Sequence, residues 1–140
     1  MSCYLDTSVL VPLFLLDPFN GQAEAFLREN REEMVISDFG IAEFCSVVAR
    51  RVRSRDLTGP EGQQAFLHFD QWMSRSARRA DTTSEDVRTA EAILRRLDLD
   101  LRAPDAIHVV GAQRLGATLV TFDRQMAASA RALGTAVETP

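Results

Sequence analysis

The N-terminal segment reads Cys3-Tyr-Leu-Asp-Thr-Ser-Val-Leu-Val11. Its first three residues form an apolar run of a length typical of a buried strand, and this run ends at Asp6 before a second apolar run begins. A carboxylate in such a setting loses hydration unless it is hydrogen-bonded, paired with a charge or bound to a metal. The segment therefore predicts a strand that delivers an acid to one edge of a sheet.

Working outward from this segment, short apolar strands alternate with amphipathic helices. Further strands are predicted at Met34–Ile36 and Leu119–Thr121, and an edge strand at Ala136–Val137. Helix starts are predicted near Ser37 or Asp38, at Thr58-Gly-Pro-Glu61, at the capping-box pattern Thr82-Thr-Ser-Glu85, at Pro104 and after Asp123. Pro12 is expected to break or reshape the apolar segment Val9–Leu16.

This alternation predicts an α/β fold of three layers, α/β/α, with a central parallel sheet flanked by helices. The length of 140 residues fits a single domain over 1–140, with no repeat or linker. In open parallel sheets, sites form outside the carboxyl ends of the strands. Asp6 and Asp123 both follow predicted strands and are expected at that edge.

Two more acids stand on apolar helical segments. Glu43 lies within Ile41-Ala-Glu-Phe-Cys45, and Asp105 lies within Ala103-Pro-Asp-Ala-Ile-His-Val-Val110. Taken singly, Asp123 reads equally well as a helix N-cap and Asp105 as a first-turn charge that complements the helix dipole. Together with Asp6, the four acids predict one shared cation site. Carboxylate oxygens without cysteine or clustered histidine favour Mg²⁺ or Mn²⁺ over Zn²⁺.

Composition narrows the classes of function. All 16 basic residues are arginine, so chemistry that requires a lysine, such as a P-loop or a Schiff base, is excluded. No basic region precedes the first apolar segment and no run of about 20 apolar residues occurs, which predicts a cytoplasmic protein without a membrane segment. Cys3 and Cys45 lack metal-ligand or redox spacing and are expected to be buried and reduced.

Four motifs carry a resemblance to the PIN-domain family, in the family's order and spacing. They are Leu5-Asp-Thr-Ser-Val-Leu-Val11, Ser37-Asp-Phe-Gly-Ile-Ala-Glu43, Leu101-Arg-Ala-Pro-Asp-Ala-Ile-His108 and Gly116-Ala-Thr-Leu-Val-Thr-Phe-Asp123. Each motif alone is weak, whereas four in order across the chain are specific. Within the family, the chain is most similar to VapC-type toxins of bacterial toxin–antitoxin pairs.

The resemblance implies a Mg²⁺- or Mn²⁺-dependent endoribonuclease toxin, neutralised by a small VapB-type antitoxin and commonly a homodimer. The family's acidic quartet falls on Asp6, Glu43, Asp105 and Asp123. Its hydroxyl positions fall on Thr7, Ser8 and Thr121, which either orient Asp6, contact phosphate or serve only as local caps. A water activated by the metal would attack an RNA phosphodiester and leave a 5′-phosphate and a 3′-hydroxyl.

The charge distribution bears on how RNA would approach. The net charge of −4 is not that of a basic nucleic-acid-binding protein. The arginines fall into three groups, around residues 50–55, 75–79 and 95–102, which either contact phosphate or antitoxin acids or form solvated helix faces. Arg102, three residues before Asp105, is the best placed for function. His108 could reach the site but is expected to be a half-buried structural histidine.

Three alternatives remain open at this point. A haloacid-dehalogenase-like phosphatase also places an Asp after its first strand, but it requires a second Asp where this chain has Ser8 and normally uses a lysine. A degenerate PIN fold could serve as a binding module, although the intact quartet argues against lost activity. A PIN nuclease without toxin function would share the same site.

Overall fold

A computed structural model describes residues 1–140. Five strands are present: β1 (Ser2–Leu5), β2 (Glu33–Ser37), β3 (Ala77–Ala80), β4 (Thr118–Val120) and β5 (Val137–Glu138). Seven helices connect them: α1 (Thr7–Phe14), α2 (Asn20–Glu29), α3 (Asp38–Arg53), α4 (Gly59–Ser76), α5 (Ser84–Leu94), α6 (Ala103–Arg114) and α7 (Arg124–Ala132).

The strands form one parallel sheet in the order β3-β2-β1-β4-β5. In β1, Tyr4 pairs with Val35 on one side and with Leu119 on the other. The chain builds β2 and β3 to one side of β1 and then crosses to place β4 on the opposite side. The carboxyl ends of β1 and β4 therefore flank the point where the strand order reverses, which is where crevices open in sheets of this kind.

The two faces of the sheet are covered by different helices. Cys3 and Leu5 of β1 point into a large core formed with helices α1 to α4, whereas Tyr4 points into a second core formed with α6 and α7. Alternating side chains along a strand point to opposite faces, so one four-residue strand serves both cores. The prediction of a three-layer α/β/α fold with a parallel sheet is confirmed.

Side-chain caps start several helices where the sequence places them. Ser37 Oγ accepts the N–H of Gly40 at the start of α3, and Thr58 and Glu61 form a reciprocal capping box on α4. The capping box on α5 is shifted by one residue from the predicted one. It joins Thr83 to Asp86, and the helix ends at Leu94.

The structure adds one strand that was not predicted and corrects two local predictions. Ala77–Ala80 forms strand β3, although its sequence Ala-Arg-Arg-Ala lacks the apolar run typical of a strand. Helix α1 continues through Pro12 and ends two residues later, at Phe14. Cys3 is buried as expected, but Cys45 is only half-buried, and both are free thiols.

No helix combines the length and apolar character needed to cross a membrane.

Candidate active site

The four predicted acids line one cavity of about 140 Å³ at the carboxyl edge of the sheet. Asp6 follows β1, Glu43 lies on the second turn of α3, Asp105 on the first turn of α6, and Asp123 precedes α7. The cavity is completed by Thr7, Ser8, His108 and Met126. Four acids separated by up to 117 positions are thus brought together by the order of the strands.

Asp6 is the most deeply buried of the four site acids, with 2% of its surface exposed. Its Oδ1 accepts the Ser8 hydroxyl at 2.6 Å and its Oδ2 accepts the Thr121 hydroxyl at 2.7 Å. The same hydroxyl oxygens accept backbone N–H groups from the loop after β4, Ser8 Oγ from Phe122 and Thr121 Oγ1 from Asp123. These hydroxyls therefore orient Asp6 and also tie the loop that carries Asp123 to the start of α1.

Burial dominates the electrostatics of Asp6. Loss of hydration raises the pKa of this carboxyl, and the charge of His108 and the hydroxyls of Ser8 and Thr121 only partly oppose that rise. A buried carboxylate whose pKa is raised gains from any nearby cation, since a positive charge favours its ionised form. Asp6 is accordingly an acid whose environment favours cation binding.

Glu43 is held differently. Its Oε1 accepts the Thr7 hydroxyl at 2.6 Å and also a hydrogen bond from His108 Nε2. Burial alone raises the pKa of Glu43, but the hydrogen bond and charge of His108, with the Thr7 hydroxyl, outweigh it and lower the pKa below its ordinary value. Glu43 therefore remains ionised, and Thr7 orients Glu43 rather than Asp6.

Asp105 and Asp123 both serve partly as helix caps. Asp105 Oδ2 accepts the backbone N–H of Arg102 at 3.0 Å, and Asp123 Oδ1 accepts the N–H groups of Gln125 and Met126. In each case one carboxylate oxygen is engaged in a cap while the side chain still lines the cavity. The capping and site interpretations are therefore compatible in both residues.

Arg102 lies at the rim of the site and not inside it. Its side chain is 85% exposed, and its Nε stands 3.8 Å from Asp105 Oδ2. An exposed pair at this separation adds little stability. The guanidinium is free to turn toward a ligand at the cavity mouth.

His108 is the site residue whose placement sequence reasoning missed. It is fully buried rather than half-buried, and it contacts Glu43, an acid of the cavity. The available signal was its position three residues after Asp105, one helical turn along α6. That spacing places both side chains on one face, but it does not identify Glu43 as the partner.

The donor chemistry of the cavity fits a hard, hydrated divalent ion. The lining polar groups are carboxylates and hydroxyls, with one imidazole whose two nitrogens already have partners. No group of three or more His, Cys, Asp or Glu side chains is arranged to hold a metal by itself. Mg²⁺ is usually held by one or two carboxylates and keeps several waters, so it does not require such a group. The lining therefore fits a divalent cation that keeps part of its water shell.

A groove of about 420 Å³ continues from this cavity, because Thr7, Ser8 and Asp123 line both. One wall carries Phe19 stacked on Phe122, with ring centroids 4.4 Å apart. The lining also includes exposed Arg50, which makes no ion pair, and Arg51, which donates to the Leu16 carbonyl and lies 3.8 Å from Asp17. We call this surface the Arg50 groove; its lining is Thr7, Ser8, Val11, Asp17, Phe19, Val47, Arg50, Arg51, Phe122 and Asp123.

Comparisons with known proteins agree with this architecture. The model of the PIN domain family matches residues 3–132. Ribonuclease VapC46 of Mycobacterium tuberculosis is 31% identical over 140 aligned residues, covering 98% of this chain and 96% of the relative. These two matches span nearly the whole chain, including all four acidic motifs.

Solved structures show the same fold at lower identity. VapC20 of Mycobacterium tuberculosis, a sarcin-ricin loop cleaving toxin, superposes with a TM-score of 0.74 at 19% identity, covering 90% of this chain and 93% of that one. VapBC2 from Rickettsia felis, bound to a DNA fragment from its promoter, gives 0.72 at 18% identity, covering 100% and 99%. The family match, the curated relative and the shared fold together establish that the chain belongs to the PIN-domain family, as a nuclease of the VapC type.

Proposed function

We propose that this chain is a Mg²⁺- or Mn²⁺-dependent endoribonuclease toxin that a cognate VapB-type antitoxin neutralises. The observation that carries the proposal is the convergence of Asp6, Glu43, Asp105 and Asp123 on one small cavity at the strand-order switch. Its similarity to a ribonuclease VapC supports RNA as the substrate. Membership of the PIN-domain family argues against the alternative of a haloacid-dehalogenase-like phosphatase.

The four acids have different roles in binding the metal ion. Asp6 and Asp105, the deepest acid and the acid on the first turn of α6, would hold the ion, with Glu43 and Asp123 completing its surroundings through water. A bound divalent ion would supply an activated water and offset charge on the phosphate. Ser8 and Thr121 keep Asp6 in one orientation, and Thr7 does the same for Glu43.

The Arg50 groove offers a path for the RNA strand next to the reacting phosphodiester. Its aromatic wall provides a face for base stacking and Arg50 provides a cation for phosphate. Hydrolysis by a water held among the four acids would leave a 5′-phosphate and a 3′-hydroxyl.

The antitoxin and a homodimer are the remaining partners in the proposal. Solved neighbours include VapBC pairs, which supports an antitoxin for this chain. For a homodimer, the supporting feature is the apolar surface of α5 and α6, where Val87, Leu94 and Ile107 adjoin highly exposed Leu97. A single domain over 1–140 stays a prediction.

The proposal is tested with purified protein and with cells. We expect RNA cleavage in Mg²⁺ or Mn²⁺, no cleavage in EDTA, and a loss of about 100-fold or more in rate for Asp105→Asn, because removing groups that only orient the ligands of a metal already costs about 10- to 100-fold. Asp70→Asn, an exposed acid on α4, is the matched control and should cleave normally. Mapping of 5′-phosphate ends after brief induction would identify the RNA, and cleavage that survives EDTA would overturn the proposed chemistry.

A further inference from the structure

A buried hydrogen-bond chain lies directly beneath the acid cavity, and the proposed reaction does not account for it. It runs through Ser37, Tyr4, His108 and Glu43 to Thr7. The Tyr4 hydroxyl lies 2.8 Å from Ser37 Oγ and 2.9 Å from His108 Nδ1. Tyr4 and His108 are each at most 2% exposed. Polar side chains this deeply buried are costly unless every group has a partner, and here every group has one.

This hydrogen-bond chain links the strand and the two helices that carry three of the four acids. Tyr4 lies in β1, which delivers Asp6; Ser37 caps α3, which carries Glu43; and His108 lies on α6, which carries Asp105. These contacts bridge separations of 33, 104 and 65 residues. A displacement of one of these side chains would therefore also shift the strand or helices that carry the other acids.

Close packing leaves the two rings little freedom. The Phe39 and His108 rings pack in a T-shaped arrangement with their centroids 5.3 Å apart, and the Tyr4 and His108 rings do so with their centroids 5.7 Å apart. Gly111 is matched to Tyr4, because a Cβ at that position would stand 3.2 Å from the Tyr4 ring. The imidazole is thus fixed by contacts with two aromatic rings and by hydrogen bonds at both nitrogens.

Glu43 depends on this arrangement more than the other acids do. Asp105 and Asp123 are held by backbone N–H groups of their own helices, and Asp6 by two hydroxyls. Glu43 is longer, lies on the second turn of its helix, and has only Thr7 and His108 as hydrogen-bond partners. Without His108 its carboxylate could turn away from the cavity.

We propose that His108 is a positioning residue that fixes the Glu43 carboxylate toward the cavity, with Tyr4 and Ser37 fixing His108 in turn. The proposal rests on the metal-dependent function put forward above. Groups that orient the oxygens around a metal typically contribute 10- to 100-fold in metal affinity or activity when they are removed. His108 acts through Glu43 and makes no contact with RNA in this scheme.

Substitutions at His108 separate hydrogen bonding from packing. His108→Leu keeps most of the volume and removes both hydrogen bonds. His108→Gln can place an amide N–H where Nε2 meets Glu43, whereas the shorter Asn reaches only toward Tyr4. We expect Leu and Asn to weaken binding of Mn²⁺ alone about 10-fold or more and to lower kcat at least as much. KM for RNA should stay within about twofold, and Gln should recover part of the loss.

The decisive readout is Mn²⁺ affinity without RNA, measured by titration calorimetry on variants whose thermal unfolding shows that they fold. Tyr4→Phe, which keeps the ring and drops the hydroxyl, is the second probe if His108→Leu does not fold, and should weaken Mn²⁺ binding by a smaller factor. Wild-type Mn²⁺ affinity and kcat in folded Leu, Asn and Phe variants would overturn the positioning role. Absence of metal-dependent cleavage by the wild type would instead count against the proposed function.

Discussion

At the scale of single residues, the four acids differ in what holds them, and this sets what each can contribute. Asp6 is buried and its two carboxylate oxygens accept hydroxyls, whereas Glu43 is paired with an imidazole. Consequently the pKa of Asp6 is raised by burial while that of Glu43 is lowered by its partners. An acid of the first kind gains most from a cation, and one of the second kind already has a positive or donating neighbour.

The raised pKa of Asp6 predicts a pH-dependent stability in the absence of metal. The folded protein holds this proton more tightly than the unfolded chain does. The resulting stabilisation is present below the ordinary pKa of 3.8 and is lost as pH rises through the folded value. Asp6→Asn removes the ionisation, so in EDTA the variant should gain stability relative to wild type as pH rises toward neutrality. Urea unfolding at a series of pH values measures the difference.

Asp86 provides a control of opposite sign. Burial raises the pKa of Asp86, but hydrogen bonds from Arg114 and Thr83 outweigh it and lower the pKa. Its stabilisation is present above the ordinary pKa and lost as pH falls through the folded value. Asp86→Asn should therefore lose stability relative to wild type at neutral pH. The same trend for both variants would contradict the assignment of Asp6.

At the scale of elements, the start of α5 shows that a local capping pattern predicts the region where a helix begins but not the exact residue. The segment Thr82-Thr-Ser-Glu85 offers two overlapping capping boxes, and the structure uses Thr83 with Asp86. Asp86 can take that role because it also pairs with Arg114 of α6, at 2.7 Å. Thr82 is used elsewhere and accepts the N–H of Phe39. A contact with another helix thus settles which cap forms.

The cap on α5 can be tested by paired substitutions. Thr83→Ala removes the acceptor of the Asp86 N–H and should lower the free energy of unfolding by about 1 kcal/mol. Glu85→Gln, at the end of the other capping pattern, should change it by less than about 0.5 kcal/mol because that side chain is exposed. Chemical denaturation measures both, and RNA cleavage should be unaffected. Equal costs would mean that the helix starts one residue earlier.

At the scale of the whole molecule, charge placement matters more than net charge. The chain is acidic overall, and four of its acids face one cavity. Most members of the three arginine groups are paired, among them Arg78 with Glu33, Arg79 with Asp38 and Arg95 with Glu91. Arg50 is unpaired and lies in the groove that continues from the site, so it is a second arginine, beside Arg102, that is placed to contact phosphate.

Arg50 should therefore contribute to RNA binding through charge. In an Asp105→Asn background, where RNA should survive, Arg50→Ala should weaken binding and reduce the slope of log K against log salt by about 0.7, as expected for one lost single-strand phosphate contact. Arg53→Ala is the matched control, since Arg53 is exposed on the same helix but outside the groove. Fluorescence anisotropy with a short single-stranded RNA measures both, and equal slopes would place the strand elsewhere.

The amino-acid sequence alone predicts the parallel α/β architecture and the four acids, because these depend on local patterns. Apolar runs mark the strands other than β3, Asp6 and Asp123 directly follow strands, and Glu43 and Asp105 stand on apolar helical segments. Only the tertiary structure decides that Ala77–Ala80 is a strand, that Thr7 serves Glu43, and that His108 is part of the site. Each of these rests on partners 36 or more residues away, which are set by strand order and register and leave no local pattern.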